Sequence, residues 1–403
     1  MNALDGVRVL DLTTGVAGPH CTKLLADFGA QVIKVEPAGG DPTRHVPPFA
    51  GDEPDPERAL LFLHLNTNKR SVTLDPRTGT GSDLLRRLAS TAQIVVEDSA
   101  PGSFAAFGLD YATIAASHPD IVYVSITPWG QTGPYAEAGL RASELIYQGM
   151  GGPVIQTGTG TREPLKLGGQ LAQLQAGAVA AYSAVMTLYR AEGSGEGDHI
   201  DVSIYQTQAG TRDRRTITLT SYSYTGVSAK RTAAAGISLA SGVKPTADGY
   251  INLLATGRGR MDAFVKMIGR DDLVGDPRLI QQPTTLDPAF VEEISASYLV
   301  WLISRNKREI VAEAQSHGLL AGVVNTPEDL VTDPHYRERG VWDLIEHPVA
   351  GTFEYPGRPF IMSDTPRATP TRAPLLGEHN DEVLAELGLD ADEIADLRAN
   401  EVI

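Results

Sequence analysis

Short runs of apolar, often β-branched residues alternate with helical stretches through the first third of the chain. Val7-Arg8-Val9-Leu10-Asp11, Gln31-Val32-Ile33-Lys34-Val35, Ser71-Val72-Thr73-Leu74, Ile94-Val95-Val96-Glu97 and Ile121-Val122-Tyr123-Val124-Ser125 have the composition of strands. Between them, Gly18-Pro19 opens a helix over His20 to Phe28, where the missing proline N–H costs nothing, and Leu84 to Leu88 is amphipathic. Strands spaced by helices predict parallel pairing through right-handed crossovers, an α/β sheet of Rossmann-like type. A long helix of small and aliphatic residues follows from Ala176 to Arg190, buried or at a subunit interface, and Gly193-Ser194-Gly195-Glu196-Gly197 ends it. Asp198 to Ile204 reads as one more strand.

After Tyr205 the pattern fades. Residues 212–232 are rich in Thr, Ser, Tyr and Arg with little periodicity and read as a long connection between domains. Asp248-Gly249-Tyr250 predicts a tight turn into strand Ile251-Asn252-Leu253-Leu254. Residues 260–320 are mostly helical in pattern, Phe360 to Pro374 is an extended surface segment, and Asp381 to Leu397 reads as two short helices.

Composition narrows the class. A chain of 403 residues predicts two domains, or one with an insertion, and 42% hydrophobic with 21% charged residues is ordinary globular material. The sequence has no run of about 18 apolar residues, so no membrane span is expected. Met1 to Gly6 shows neither a basic nor an apolar leader region, and a cytoplasmic chain is expected. One cysteine, Cys21, excludes an internal disulfide and reads as a small buried hydrophobe. A net charge of -16 disfavours nucleic acid as a partner, and any anionic ligand then needs a local cationic pocket. Thr13-Thr14-Gly15-Val16-Ala17-Gly18 fits the dinucleotide fingerprint poorly. The histidines lack metal-ligand spacing, so no metal is expected, and no Gly-x-Ser-x-Gly elbow occurs.

Several blocks, in order over nearly the whole chain, resemble family III CoA-transferases. They include Leu4-Asp5-Gly6-Val7-Arg8-Val9-Leu10-Asp11, Ala17-Gly18-Pro19, Leu25 to Glu36, Gly40-Asp41-Pro42-Thr43-Arg44 and Asn66-Thr67-Asn68-Lys69-Arg70. Further on stand Val96-Glu97-Asp98, Gly130-Gln131-Thr132-Gly133-Pro134-Tyr135, Gly197 to Ser203, Asp333-Pro334-His335 and Pro374 to Asn380. The resemblance implies a Rossmann-like large domain formed by both chain ends, a smaller inserted α+β domain, and an interlocked dimer. It places the large domain at 1–210 and 323–403, the small domain at 236–322, and the connection at 211–235. It implies coenzyme A and acyl-CoA as substrates, a carboxylic acid as acceptor, and no permanently bound cofactor.

The resemblance also assigns a site. Arg44, Lys69, Arg70 and Arg141 are the basic residues in motif positions for the CoA phosphates, which arginine forks and lysine charges would hold. Val16 and Ala17 resemble the loop near the thioester, with Val16 where some transferases have glutamine. Asp98 stands where an asparagine is common. Thr256-Gly257-Arg258-Gly259 resembles the flexible glycine loop of the small domain, which would close over the site.

Gln173 occupies the position of the family's catalytic aspartate. The family chemistry needs a carboxylate nucleophile, and an amide should not form an anhydride. Three explanations stand. Glu144 serves as a surrogate carboxylate, with Asp110 the weaker candidate and an ion pair to Arg141 the plain alternative. Or the chain is a non-nucleophilic subunit of a heteromer in which an Asp-bearing homologue supplies the carboxylate; otherwise a homodimer is expected. Or it does other acyl-CoA chemistry, with Gln173 as an oxyanion donor. The similar α-methylacyl-CoA racemases use a His and the same Asp. Here Gly139-Leu140-Arg141-Ala142-Ser143 contains no His, which disfavours that reaction.

Overall fold

The computed structural model describes the chain apart from Met1 and residues 211–212, 229–230, 232–238, 282–285 and 366–368. It falls into two compact units: Met1–Gln156, Leu165–Ser228 and Val341–Ile403 form the first, Thr157–Pro164 and Ala229–Gly340 the second.

The first unit begins β1 (Arg8–Leu12), α1 (Ala17–Asp27), β2 (Gln31–Glu36), α2 (Leu60–Leu65), β3 (Lys69–Thr73), α3 (Gly79–Thr91) and β4 (Ile94–Glu97). It continues through α4 (Tyr111–Ala115), β5 (Val122–Thr127), α5 (Pro134–Glu137), α6 (Glu144–Met150), α7 (Leu171–Ser194), β6 (Asp198–Ser203), α8 (Ile204–Gly210) and α9 (Asp213–Thr225). Its six strands are all parallel, in the order β3-β2-β1-β4-β5-β6. The winding reverses between β1 and β4, which pair Leu10 to Val95 and Asp11 to Val96. At such a reversal the loops leaving the two strands diverge and open a crevice at their carboxyl ends.

Helices cover both faces, so the strands are continuous apolar runs rather than alternating ones. Val9, Val32, Ile94, Val96, Val124 and Ile126 pack under α1 and α7. On the other face Leu10, Ile33, Val72, Val95 and Tyr123 pack under α3 and α4.

The second unit has an antiparallel sheet of β7 (Gly242–Thr246), β8 (Gly249–Leu254) and β9 (Leu320–Val324), in that order. Ile251 and Leu253 of β8 pack with α10 (Arg258–Met267), α11 (Pro288–Ile303) and α12 (Lys307–Ser316) through Phe264, Ile294, Tyr298 and Ile310. α13 (Pro327–Thr332) and α14 (Pro334–Glu338) follow. Back in the first unit, β10 (Trp342–His347) and β11 (Gly351–Pro356) form a hairpin that packs on α2 through Ile345, Tyr355 and Phe62. α15 (Asn380–Glu386) and α16 (Ala391–Ala399) bring Val383, Leu384, Ile394 and Leu397 into the core under α3.

Two expectations change. Residues 211–235 are not a bare connection: Asp213–Thr225 is helical. Its hydroxyl and β-branched residues are poor helix formers, and Ile217, Leu219, Tyr222 and Tyr224 are exposed, so no buried face imprints a period. Most of that stretch beyond residue 228 lies outside the described residues. The second unit also runs on to Gly340 rather than ending at 322. Lys307 of α12 pairs with Asp329 of α13, and this buried ammonium holds α13 to the inserted unit.

By length and composition alone α7 is also long and apolar enough to cross a bilayer. Its small residues Ala172, Ala176, Ala180 and Ala184 are buried in the core with α1 and the sheet.

Candidate functional site

The first four N–H groups of a helix have no partner within it. α7 lacks a capping side chain of its own: Gln170 at the N-cap makes no such bond. Glu144, the first residue of α6, supplies the cap from a distant point in sequence. Its Oε1 accepts from the Ala172 N–H at 2.7 Å and its Oε2 from the Gln173 N–H at 3.3 Å. Oε1 also accepts from Gln148 Nε2 at 2.7 Å, and Oε2 from Gln173 Nε2 at 3.4 Å. Gln173 Nε2 donates further to Gln170 Oε1 at 3.1 Å. Glu144 is buried. These bonds, rather than the guanidinium of Arg141, are what hold it.

One turn beyond Gln173, α7 meets α1 almost backbone to backbone. A Cβ at Gly177 would lie 2.4 Å from the carbonyl oxygen of Ala17 and 3.0 Å from His20 Cβ. Val16 and Ala17, both buried at the entrance of α1, therefore stand about one turn from Gln173. Gly18 is equally constrained, since a Cβ there would lie 2.2 Å from Thr13 Cβ. His20 was not singled out by sequence reasoning. Desolvation, then the charges of Lys23 and Lys69, bring its imidazole down to about 4, so it is neutral at neutral pH. The tight Gly177 contact is what brings it near the site, and one sequence does not reveal that contact.

Asp98 follows β4 at the winding reversal. It is half-buried and accepts from the Thr14 N–H at 2.9 Å. Removal from water holds its carboxyl well above the ordinary range, with the Thr14 N–H and Lys34 opposing. Asp110, the weaker candidate for an acid, is committed elsewhere: it caps α4, accepting from Thr113 N and Oγ1.

Three of the four expected phosphate cations are spent on the fold. Arg44 is fully buried, bonded to Glu36 at 2.8 and 2.9 Å, to Glu57 at 2.8 Å and to the Pro374 carbonyl at 3.1 Å. Its guanidinium also lies 3.7 Å from the Phe62 ring centre. Lys69 is enclosed by Asp11, Thr22, Asn66 and the Pro19 carbonyl, and burial brings its ammonium down to about 8. Arg70 pairs with Glu382 and Glu386 of α15. Arg44 and Arg70 thus tie the segment after β2 and the start of β3 to the C-terminal return, while Lys69 ties β3 to β1 and α1. Arg141 alone of the four is exposed.

A cavity of about 510 Å³ opens where β2, β3 and β4 end, lined by Pro37, Ala38, Leu74, Arg77, Ser99 and Phe104. Arg77, four residues past β3, is exposed and bonded to Asp75. Sequence reasoning did not single it out, because it stands outside the Asn66 to Arg70 block. Gly257 and Gly259 belong to the second unit. Gly257 has φ +80 and precedes α10, while Gly259 lies within its first turn, so the free loop is shorter than expected. Among the described residues no group of three His, Cys, Asp or Glu side chains is arranged to hold a metal.

Comparison with known proteins gives the frame for this geometry. The model of CoA-transferase family III matches residues 4–380. The chain is 33% identical over 390 residues to a succinate–glutarate CoA-transferase of Agrobacterium fabrum, covering 95% of each chain. It is 32% identical to a formyl-CoA:oxalate CoA-transferase of Streptomyces avermitilis, covering 100% of this chain and 99% of that one. A CAIB/BAIF family protein from Brucella suis superposes with a TM-score of 0.84 at 31% identity, covering 96% and 100%. The chain thus belongs to CoA-transferase family III, as an enzyme that moves CoA between an acyl-CoA and a carboxylic acid.

Proposed function

We propose that Glu144 is the carboxylate that takes the acyl group, with Gln173 beside it as a hydrogen-bond donor. The supporting observation is the approach of Glu144 Oε2 to Gln173 Nε2, at 3.4 Å. The two oxygens differ. Oε1 has two bonds of 2.7 Å, whereas Oε2 has long ones of 3.3 and 3.4 Å, so Oε2 keeps the looser lone pair. Oε2 attacks the thioester carbonyl, the C–S bond breaks, and CoA leaves as thiolate from a mixed anhydride. The thiolate attacks the Glu144 carbonyl and expels the donor acid, leaving a glutamyl thioester. The acceptor carboxylate attacks that thioester, and the thiolate returns to the acceptor's carbonyl, which frees Glu144. The N–H groups at the entrance of α7 face the charge throughout.

CoA enters as a thioester substrate and is not retained. Arg77 and Arg141 are the exposed cations proposed for its phosphates, with the cavity at the ends of β2 to β4 for the nucleotide. The strand order fits a Rossmann-like large domain completed by both chain ends. A homodimer fits the apolar surface: a groove of about 490 Å³ is lined by Leu24, Phe28, Tyr182, Val185, Met186 and Phe360, with Tyr189 exposed on the same helix.

The test is acyl exchange with hydroxylamine trapping and peptide mass analysis. Glu144→Gln should lower kcat at least about a thousandfold with a small change in acyl-CoA KM, and an adduct should map to the Glu144 peptide. One observation favours a second reading: four donors already satisfy Glu144, as befits a cap. In that reading the chain binds acyl-CoA in a heteromer whose Asp-bearing partner supplies the carboxylate. Binding without exchange, with exchange gained in Gln173→Asp, would select it.

A further inference from the structure

Four aromatic rings gather beside α6. Trp129, two residues past β5, lies edge-to-face with Tyr135 of α5 at 5.2 Å between ring centres, with Tyr205 of α8 at 5.4 Å and with Tyr147 of α6 at 6.3 Å. Tyr135 and Tyr205 complete the set at 6.1 Å. Edge-to-face packing sets the edge of one ring on the face of its neighbour, and the solvent-exposed part of each ring is left to a further apolar group.

The cluster is fixed by backbone bonds as well as by ring packing. Trp129 Nε1 donates to the Leu140 carbonyl at 2.7 Å, and the Tyr205 N–H donates to the Pro128 carbonyl at 3.1 Å. The turn after Trp129 is pinned by the Gln131 N–H on Asp201 Oδ2 at 2.9 Å. Yet only Tyr147 is buried: Tyr135 is 40% exposed, and Trp129 and Tyr205 are half-buried. A preorganised aromatic wall open to solvent is suited to a ligand more than to a core.

Its position ties it to the reacting acid. Tyr147 stands one turn after Glu144 on the same helix, and residues three apart share a helix face. Burial, then the charges of Glu144 and Asp98, push its hydroxyl up to about 12. Its ring meets that of Trp129, so the aromatic set and Glu144 share α6 as their support. Among the described residues no arginine lies over any of these four rings, so the ring faces themselves meet an incoming acid with apolar surface.

We propose that Trp129, Tyr135 and Tyr205 form the acyl-chain subsite and select a carboxylic acid bearing an aromatic ring over a short aliphatic dicarboxylic acid. The placement of this subsite rests on reading Glu144 as the reacting group. The acids that the relatives are named for, among them succinate, glutarate and oxalate, would then be poor acceptors here.

Calorimetric titration of the full chain with phenylacetate and with succinate, in saturating free CoA, tests this without chemistry. Phenylacetate should bind at least about tenfold more tightly. Tyr135→Ala, at the most exposed ring, should narrow that ratio about three- to tenfold at an unchanged melting temperature. Tyr135→Leu serves as a second variant, keeping apolar volume and losing the ring. Succinate binding as tightly as phenylacetate, or a ratio untouched by both variants, overturns the proposal. Selective phenylacetate binding with full exchange in Glu144→Gln would instead sink the Glu144 reading and leave the subsite standing.

Discussion

At the scale of single residues, this protein puts much of its charge inside. Asp11, Lys34, Glu36, Asp41, Arg44 and Lys69 are all buried on or beside β1 to β3. Lys34 and Lys69 face Asp11 and hold its carboxyl below the usual range against burial. Arg44 does the same for Glu36, and Lys34 for Asp41. These groups bind protons less readily folded than unfolded, so their stabilisation is present above about pH 4.5 and lost as pH falls through the ordinary carboxylate range. Melting temperature followed from pH 7 down to pH 3 should fall steeply below that point. Asp98 runs the other way. Its raised carboxyl keeps a proton that the unfolded chain releases, so stability is lost as pH rises above about 4. Asp98→Asn should therefore be the more stable protein at pH 7 and lose its advantage near pH 3, as paired denaturation curves would report. The sequence could not show which basic residues were free, because an arginine in a motif looks the same whether it faces a phosphate or Glu36. Arg44, in such a motif, is bonded to Glu36 and Glu57, whereas Arg77, in none, is exposed.

At the scale of elements, the strands were legible and the start of α7 was not. Runs such as Ile94 to Glu97 are buried on both faces, so apolar continuity marks them directly. The helix expected from Ala176 begins five residues earlier, at Leu171. Its first five residues include Gln173 and Gln175, and its cap is a carboxylate 27 residues upstream of Leu171. No local signature announces a cap supplied from another helix. The contact of α7 with α1 depends on Gly177. Gly177→Ala forces a methyl toward the Ala17 carbonyl, 2.4 Å away, and should cost about 1–3 kcal/mol in urea unfolding. Because Gln173 and Ala17 lie on either side of that contact, exchange activity should fall with it, whereas an equally destabilising change in α11 should leave kcat intact.

At the scale of the molecule, apolar surface remains after both units have packed their cores. Tyr182, Val185, Met186 and Tyr189 project from α7, with Phe360, Ile361 and Met362 also exposed. If a second copy covers this face, Met186→Asp should shift the mass in light scattering from twice that of the chain, 43.0 kDa, toward the single chain. Legibility at this scale was partial. The parallel sheet followed from the alternation of strand and helix. The extent of the second unit did not, because the Lys307–Asp329 pair that carries α13 with it joins residues whose partnership no spacing predicts.

The return of α15 and α16 to the first unit has a consequence for how the chain is made. Val72, Leu84 and Leu88 pack against Val383, Leu384, Ile394 and Leu397, more than 290 residues downstream. The second unit, whose hydrophobic cluster spans Leu239 to Ala321, can close while synthesis is still under way. The first unit cannot. At ordinary elongation rates its earliest strands wait on the order of tens of seconds for their covering helices. During that interval part of that hydrophobic face stays uncovered, the condition under which nascent chains are prone to aggregate.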